Sequence, residues 1–260
     1  MRDFVYPTVI SSARVWFKAM DYRFKVSGIE HLPAKGGALL AFNHISYVDF
    51  IFGGFPPANL GRVVRFMAKQ EMFDAPGLGQ FMRSLHHIPV DRGDGLDAAQ
   101  KAIDYLRAGE LVGIFPEATI SRSLQIKDIK TGAVRIAAKA EVPLIPIALW
   151  GTQRIVTKDH PRDFSRHKTI SVAIGEPLHP TAEHAVEETA LLRERLEALL
   201  DKAITEYPAG EQPPGSWWLP QVYGGSAPTP DEAAQLDRKE LAARLKARRE
   251  KAAKKAAKNK

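Results

Sequence analysis

The sequence ALLAFNHISYVDF at residues 38–50 decides how this chain folds. Its first five residues are uninterruptedly apolar, which predicts a strand buried on both faces of a sheet. Polar residues follow at once, and His44 stands five positions before Asp49. A histidine held by a carboxylate can take a proton from an alcohol near neutral pH. The stretch therefore predicts a buried strand whose end carries a candidate base.

The spacing of His44 and Asp49 limits how the two can meet. Five residues along an ideal helix correspond to about 500°, which places the side chains roughly 140° apart. They can pair only if His44 lies in the turn after the strand and Asp49 in the first turn of a helix. Ser46, three positions before Asp49, fits a capping box at that helix start. The alternative is that Asp49 only caps the helix and that His44 is an ordinary loop residue.

Short apolar runs alternate with helical patterns through most of the chain. This alternation predicts an α/β fold, a layered domain with a mostly parallel central sheet flanked by helices. The predicted strands are 24–27, 38–42, 65–68, 87–90, 111–115, 144–150 and 169–174. The predicted helices are 47–54, 77–84, 95–108, 131–140 and 182–206.

An additional amphipathic helix is predicted at the N-terminus, over residues 8–24. Its apolar residues fall at helical spacing and form one stripe. The stripe consists of Val9, Ile10, Ala13, Trp16, Phe17, Met20 and Phe24. Such a stripe either packs on the domain or enters a bilayer interface, where aromatic residues beside cations are favoured.

The domain boundaries follow changes in composition. We expect the amphipathic helix in residues 1–24 and the α/β domain in residues 25–207. Residues 208–230 are rich in Pro and Gly but contain two adjacent tryptophans, so we expect this segment to dock on the domain or on a membrane. Residues 231–260 form a basic tail, predicted to be partly helical or disordered.

Composition excludes several kinds of chemistry. The chain has no cysteine, so disulfides, thiolate nucleophiles and cysteine-ligated metals are excluded. No apolar run is long enough for a spanning helix, and none is expected. Residues 231–260 hold 11 of the 37 Lys and Arg and 5 of the 30 Asp and Glu, so the tail carries +6 of the net +7. The remaining body, at +1, is nearly neutral.

Two further polar clusters follow predicted strands. The sequence FPEATISRS at 115–123 contains Glu117, Thr119 and Arg122, and PVDR at 89–92 ends in Arg92. Arginine suits phosphate recognition, and an acidic side chain at the end of a buried strand is costly to leave unpaired. Taken singly, the cluster at 115–123 is also explained by a polar loop, and a surface ion pair is the better explanation of Arg92.

Together the clusters resemble a known family. Asn-His-x4-Asp at 43–49, Pro-Val-Asp-Arg at 89–92, Phe-Pro-Glu at 115–117 and Val-Pro-Leu-Ile-Pro-Ile at 142–147 occur in one order. This series is similar to that of the glycerolipid acyltransferases, in particular the 1-acyl-sn-glycerol-3-phosphate acyltransferases. The resemblance covers roughly residues 25–180.

The resemblance implies transfer of a fatty acyl group from an acyl thioester to the hydroxyl of a lysophospholipid. The expected acceptor is 1-acyl-sn-glycerol 3-phosphate and the product phosphatidic acid, as in phospholipid biosynthesis. His44 would be the general base and Asp49 its orienting partner. The implied substrate-binding residues are Arg92, Glu117, Thr119 and Arg122. No metal and no cofactor is expected beyond the thioester of coenzyme A or acyl carrier protein.

The same resemblance implies a location and partners. We expect a cytoplasmic protein, peripheral on the inner face of the cell membrane, with an anionic membrane surface as its partner. The basic tail could bind nucleic acid instead, but the near-neutral body argues against a nucleic-acid binder.

One motif departs from the family pattern. Ala118 and Ile120 stand where Phe-Pro-Glu-Gly-Thr-Arg-Ser has glycine and arginine, and an arginine reappears at Arg122. The phosphate-binding arginine is either relocated or absent. An acyltransferase acting on another glycerolipid or a glycolipid acceptor is therefore the alternative.

Overall fold

Within residues 3–91 and 95–258, which the computed structural model describes, the chain forms seven strands and nine α-helices. The strands are β1 (Arg23–Ser27), β2 (Ala38–Phe42), β3 (Val64–Lys69), β4 (Ile88–Val90), β5 (Leu111–Ile114), β6 (Leu144–Trp150) and β7 (Thr169–Ile174). The helices are α1 (Tyr6–Ala19), α2 (Asp49–Gly53), α3 (Phe55–Asn59), α4 (Gln70–Asp74), α5 (Leu78–Ser84), α6 (Gly95–Arg107), α7 (Gly132–Ala140), α8 (Ala185–Thr205) and α9 (Pro230–Lys258).

Every predicted strand is present, and no strand end differs from its predicted position by more than one residue. The helices match less closely. The helix predicted over 47–54 is present as the shorter α2, and α3, which was not predicted, follows it as a separate helix with Pro56 in its first turn. Helix α4 was not predicted. None of the helices in the described part of the chain has the length and apolar content that crossing a bilayer requires.

The seven strands form one sheet in the order β1-β7-β6-β2-β5-β3-β4. All neighbouring pairs are parallel except β6 and β7, so the predicted mostly parallel α/β fold is confirmed. Strand β2 lies between β5 and β6, with Ala41 opposite Ile114 and Phe42 opposite Ile147. The carboxyl ends of β2, β5 and β6 therefore meet at one edge of the sheet, where ligands bind in such folds.

The core lies on both faces of the central strands. All five residues of β2 and all seven of β6 are buried, as expected for parallel strands covered by helices on each side. Because β2 is held rigidly on both sides, the loop that leaves it has a fixed starting point for the site.

Helix α1 packs on the domain through its aromatic residues. The rings of Phe17 and Phe52 stack with centroids 4.9 Å apart, and Trp16 lies 5.8 Å from the same ring. Phe17 is only 4% exposed and therefore is not available to a bilayer. The predicted end of this helix is wrong, because α1 stops at Ala19 and Phe24 belongs to β1.

The chain divides into two compact units. The first comprises Met1–Ile120 and Ile126–Gln212 and contains the sheet. The second comprises Ser121–Gln125 and Pro213–Lys260. In this second unit a loop closes on itself through backbone bonds from Gly215 to Gly224 and from Ala227 to Leu219, and α9 extends the helical part of the tail to Lys258. Docking of the 208–230 segment on a domain or membrane remains a prediction.

Candidate active site

The loop after β2 holds His44 against Asp49. Asp49 begins α2, and Nδ1 of His44 lies 2.9 Å from its Oδ2. The backbone N–H groups of Ile45 and Ser46 donate to the same oxygen, each at 2.8 Å. The predicted pairing between a turn residue and the first helical turn is therefore confirmed. Only half of the expected capping box forms, because the Ser46 hydroxyl oxygen accepts from the backbone N–H of Val48 at 3.3 Å and not from that of Asp49. The same hydroxyl donates to the backbone oxygen of Val156 at 2.6 Å.

These contacts determine which ring nitrogen of His44 carries the proton. An ionised carboxylate only accepts hydrogen bonds, so Nδ1 must donate to Asp49 and Nε2 keeps its lone pair. Asp49 is fully buried, whereas 21% of the His44 side chain is exposed. The ring of His44 also stacks on Phe115, with centroids 4.3 Å apart. The imidazole is thus oriented from two sides and presents a basic nitrogen.

Asn43 fixes the point at which this loop leaves the sheet. Its buried side chain donates to the backbone oxygen of Leu149 at 3.0 Å and accepts from the N–H of Leu149 at 2.7 Å. These two bonds continue the ladder between β2 and β6 beyond the last paired strand residue. His44 therefore starts from a rigid position.

Glu117, which follows β5, bridges two loops by accepting backbone N–H groups. Its Oε1 accepts from His44 at 2.8 Å and its Oε2 from Lys127 at 3.0 Å. Burial raises the pKa of Glu117 to about 8, although both N–H bonds and the Lys127 charge act in the opposite direction. Both carboxyl oxygens are engaged with the protein, so the geometry suits positioning of the His44 loop.

The third motif turns sharply after Glu117. Ala118 adopts φ +60°, a left-handed conformation that favours glycine and explains why the family pattern has glycine there. The next residue, Thr119, accepts a hydrogen bond from Nζ of Lys127 at 2.9 Å. A hydroxyl and an ammonium group thereby lie together near Glu117, which is in contact with His44.

Of the two arginines predicted to bind phosphate, the structure describes only Arg122. Arg122 belongs to the second unit, where its guanidinium pairs with Asp237 and with Glu240, the latter at 2.8 Å. Ile120, at the position of the family's arginine, is buried. Arg92 lies outside the described residues.

An apolar groove lies between α1 and the α2–α3 pair. Its cavity volume is about 80 Å³, which is small for a ligand pocket. Its lining includes Val9, Ile10, Ala13, Phe50, Phe55 and Phe66. The ring of Phe66 stacks on Phe115 at 6.0 Å, and Phe115 in turn stacks on His44. Within the part of the chain that the structure describes, no group of three His, Asp or Glu residues could hold a metal.

The sequence did not indicate a role for three further residues, which are Asn43, Lys127 and Thr152. Asn43 adjoins His44, and its position directly after a buried strand was the available signal. Lys127 lies in a loop without a recognisable pattern. Thr152 donates to Oδ1 of Asp49 at 2.6 Å from 103 positions away, and only the preceding Gly151 marks a turn there.

Comparison with known proteins identifies the family of this chain. The family model described as Acyltransferase matches residues 23–150. The 1-acyl-sn-glycerol-3-phosphate acyltransferase of Bacillus subtilis (strain 168) is 33% identical over 186 residues, which cover 68% of this chain and 88% of that protein. A chloroplastic 1-acyl-sn-glycerol-3-phosphate acyltransferase of Arabidopsis thaliana is 30% identical over 174 residues, 64% of this chain and about half (48%) of that protein.

A solved structure shares the fold. The 1-acyl-sn-glycerophosphate acyltransferase PlsC from Thermotoga maritima superposes with a TM-score of 0.65 at 24% identity, over 80% of this chain and 86% of PlsC. The family model and the Bacillus subtilis relative together define the chain as an enzyme of the acyl-transferring class. The chain belongs to the acyltransferase family, and its relatives include the 1-acyl-sn-glycerol-3-phosphate acyltransferases.

Proposed function

We propose that this protein transfers a fatty acyl group from an acyl thioester to the free hydroxyl of 1-acyl-sn-glycerol 3-phosphate, which forms phosphatidic acid. The observation that carries this proposal is the His44–Asp49 contact of 2.9 Å at the end of β2. Similarity to 1-acyl-sn-glycerol-3-phosphate acyltransferases over 68% of the chain supports the choice of acceptor.

In the proposed reaction Nε2 of His44 removes the proton of the acceptor hydroxyl. The oxygen attacks the thioester carbonyl, an ester C–O bond forms, and the C–S bond breaks. The thiolate leaves without strong acid assistance and takes up the proton that His44 removed from the hydroxyl, so the base is regenerated. Asp49 keeps the imidazole in the required tautomer and stabilises the imidazolium that forms.

The apolar groove supports an acyl-chain substrate. Aliphatic and aromatic side chains line it, and the Phe66–Phe115–His44 ring series leads from it to the base. We propose that an acyl chain lies in this groove, because burying apolar surface is favourable by about 25 cal/mol per Å².

For the acceptor phosphate we propose Thr119 and Lys127 as contacts. The ammonium group of Lys127 is held by the Thr119 hydroxyl, and charge-assisted hydrogen bonds to phosphate are stronger than neutral ones. Arg92 and Arg122 remain proposed phosphate ligands on the basis of the motifs. For Glu117 we propose a positioning role, because both of its oxygens accept backbone N–H groups.

We propose a peripheral location on the inner face of the cell membrane. The acceptor is a membrane lipid, and the cytoplasmic leaflet carries a negative surface potential that attracts basic segments. The tail of net charge +6 supplies such a segment. Phe4 and Val15, at 82% and 70% exposure, offer apolar contact near α1.

The test is an assay of the purified full-length protein with lysolipid acceptors. Lysophosphatidic acid, other lysophospholipids and a glycolipid would each be combined with acyl-coenzyme A and with acyl-acyl carrier protein, and products identified by mass spectrometry. We expect phosphatidic acid as the main product and its absence with His44→Ala. A main product formed from another acceptor would show that the enzyme recognises a different headgroup. The replacement of the family's arginine by Ile120 would then explain that difference. No acyl transfer to any acceptor would overturn the proposal.

A further inference from the structure

A tight turn after β6 brings Thr152 to the active site. Gly151 adopts φ +98°, and a Cβ atom there would lie 2.3 Å from the backbone oxygen of Thr169. Only glycine can therefore make this turn without displacing the neighbouring chain. Because β6 is the sheet neighbour of β2, the turn places the next residue, Thr152, beside the start of α2.

The hydroxyl of Thr152 donates to Oδ1 of Asp49 at 2.6 Å. Both residues are fully buried. The other carboxylate oxygen, Oδ2, accepts from His44, Ile45 and Ser46. The carboxylate is thus held at both oxygens, by the His44 loop on one side and by the β6 turn on the other.

We propose that Thr152 is a positioning residue for acyl transfer. Rotation of the carboxylate about its Cβ–Cγ bond moves both oxygens together and would carry Oδ2 away from Nδ1 of His44. The Thr152 bond prevents that rotation and keeps Oδ2 in the plane where it meets the imidazole. Thr152 therefore acts through Asp49 on the orientation of the base, without touching the substrate. This inference rests on the proposed function.

The experiment compares Thr152→Val, which preserves shape but removes the donor, with Thr152→Ser, which retains it. Thr152→Ala is a second removal variant in case the valine variant folds poorly. The matched control is Thr189→Val in α8, because the Thr189 hydroxyl is also buried and bonded, at 2.6 Å, to the backbone oxygen of Ala185. All variants are made in the full chain.

For Thr152→Val and Thr152→Ala we expect kcat to fall about 10–100-fold, with KM for donor and acceptor within about twofold of wild type. Thr152→Ser should recover most of kcat, and Thr189→Val should alter melting temperature alone. In a His44→Ala background, Thr152→Val should reduce the residual rate little further, because both act on one step. Unchanged kcat in both removal variants, or an equal loss in Thr189→Val, would overturn the inference.

A second readout does not depend on turnover. In protein labelled with ¹⁵N-histidine, the Nδ1–H group of His44 should give a hydrogen-bonded proton resonance, assigned by its loss in His44→Ala. This resonance should broaden or shift in Thr152→Val and remain in Thr152→Ser and Thr189→Val. If wild type transfers no acyl group but this pattern holds, the proposed function fails and the positioning contact stands. An unaltered resonance in Thr152→Val would refute the contact itself.

Discussion

The backbone N–H of His44 donates to Oε1 of Glu117 at 2.8 Å. This bond joins the first and third sequence motifs, because Glu117 follows β5 and His44 follows the adjacent β2. The side chain of the third motif thus holds the main chain of the candidate base. Motifs that are 73 positions apart in sequence act as one structural unit.

Replacement of His44 should abolish turnover and leave the fold intact. His44→Ala removes the imidazole that Asp49 orients, so we expect kcat to fall about 10²–10⁴-fold. Melting temperature should change little, because Asp49 keeps three other donors, from Ile45, Ser46 and Thr152. Steady-state kinetics and thermal melting check both points, with the exposed His179→Ala as control. A His44→Ala enzyme with more than about half of wild-type kcat would refute its role as base.

The pKa of Glu117 predicts how stability depends on pH. Burial raises this pKa from an ordinary 4.5 to about 8, so the folded protein retains a proton that the unfolded chain releases. The stability due to that proton is complete below pH 4.5 and is lost progressively as pH rises to about 8. The Glu117→Gln variant has no titrating group at this position, so it serves as the reference.

The difference between the melting temperatures of wild type and Glu117→Gln, wild type minus variant, should therefore decrease between about pH 5 and pH 8. Thermal melting at several pH values measures this difference. Glu194→Gln, an exposed position on α8, serves as control and should leave the pH dependence of wild type unchanged. A difference that stays constant or grows with pH would contradict the raised pKa.

Ala118→Gly should stabilise the protein. The left-handed conformation at φ +60° costs an alanine roughly 1–2 kcal/mol, whereas the added chain entropy of glycine costs about 0.5–1 kcal/mol. The net gain in the free energy of unfolding should be about 1 kcal/mol or less, measured by urea denaturation. Ala138→Gly, in the interior of α7, should destabilise instead. A loss of stability in Ala118→Gly would show that this backbone conformation is not strained.

Lys127→Met should impair use of the acceptor more than use of the donor. Loss of one charge-assisted contact to phosphate should raise the acceptor KM about 10-fold and leave the donor KM unchanged. Lys202→Met, exposed on α8, is the matched control and should have no effect.

Arg122→Ala provides the comparison. Its guanidinium pairs with Asp237 and Glu240 in the second unit, so we expect this variant to lower melting temperature more than it raises the acceptor KM. A large rise in acceptor KM for Arg122→Ala, with none for Lys127→Met, would assign the phosphate contact to Arg122.

Binding to anionic vesicles should have an electrostatic and an apolar component. Replacing the five lysines between residues 251 and 260 with glutamine should weaken co-sedimentation at low salt, since salt screens this attraction. Replacing exposed Phe4 and Val15 with serine should weaken the binding that persists at high salt. Binding that the lysine replacements eliminate entirely would show that the N-terminal residues contribute nothing.

Local sequence was sufficient for the individual strands and for part of the site. Strands such as β2 and β6 are continuous apolar runs bounded by polar residues, and burial on both faces requires that pattern wherever the strand lies. The His44–Asp49 contact was also predictable, because five residues of chain across a strand-to-helix turn restrict the geometry to a few possibilities.

The partners of this pair were decided by the tertiary structure alone. Thr152 meets Asp49 across 103 positions because β6 lies beside β2, and strand order is not contained in any local pattern. The environment of α1 was also decided only by the folded structure. Its aromatic stripe is compatible with a bilayer or with a protein core, and the stacking of Phe17 on Phe52 shows that it packs on the domain. An apolar or hydroxyl side chain specifies what kind of partner it requires, whereas only the folded chain determines which residue supplies it.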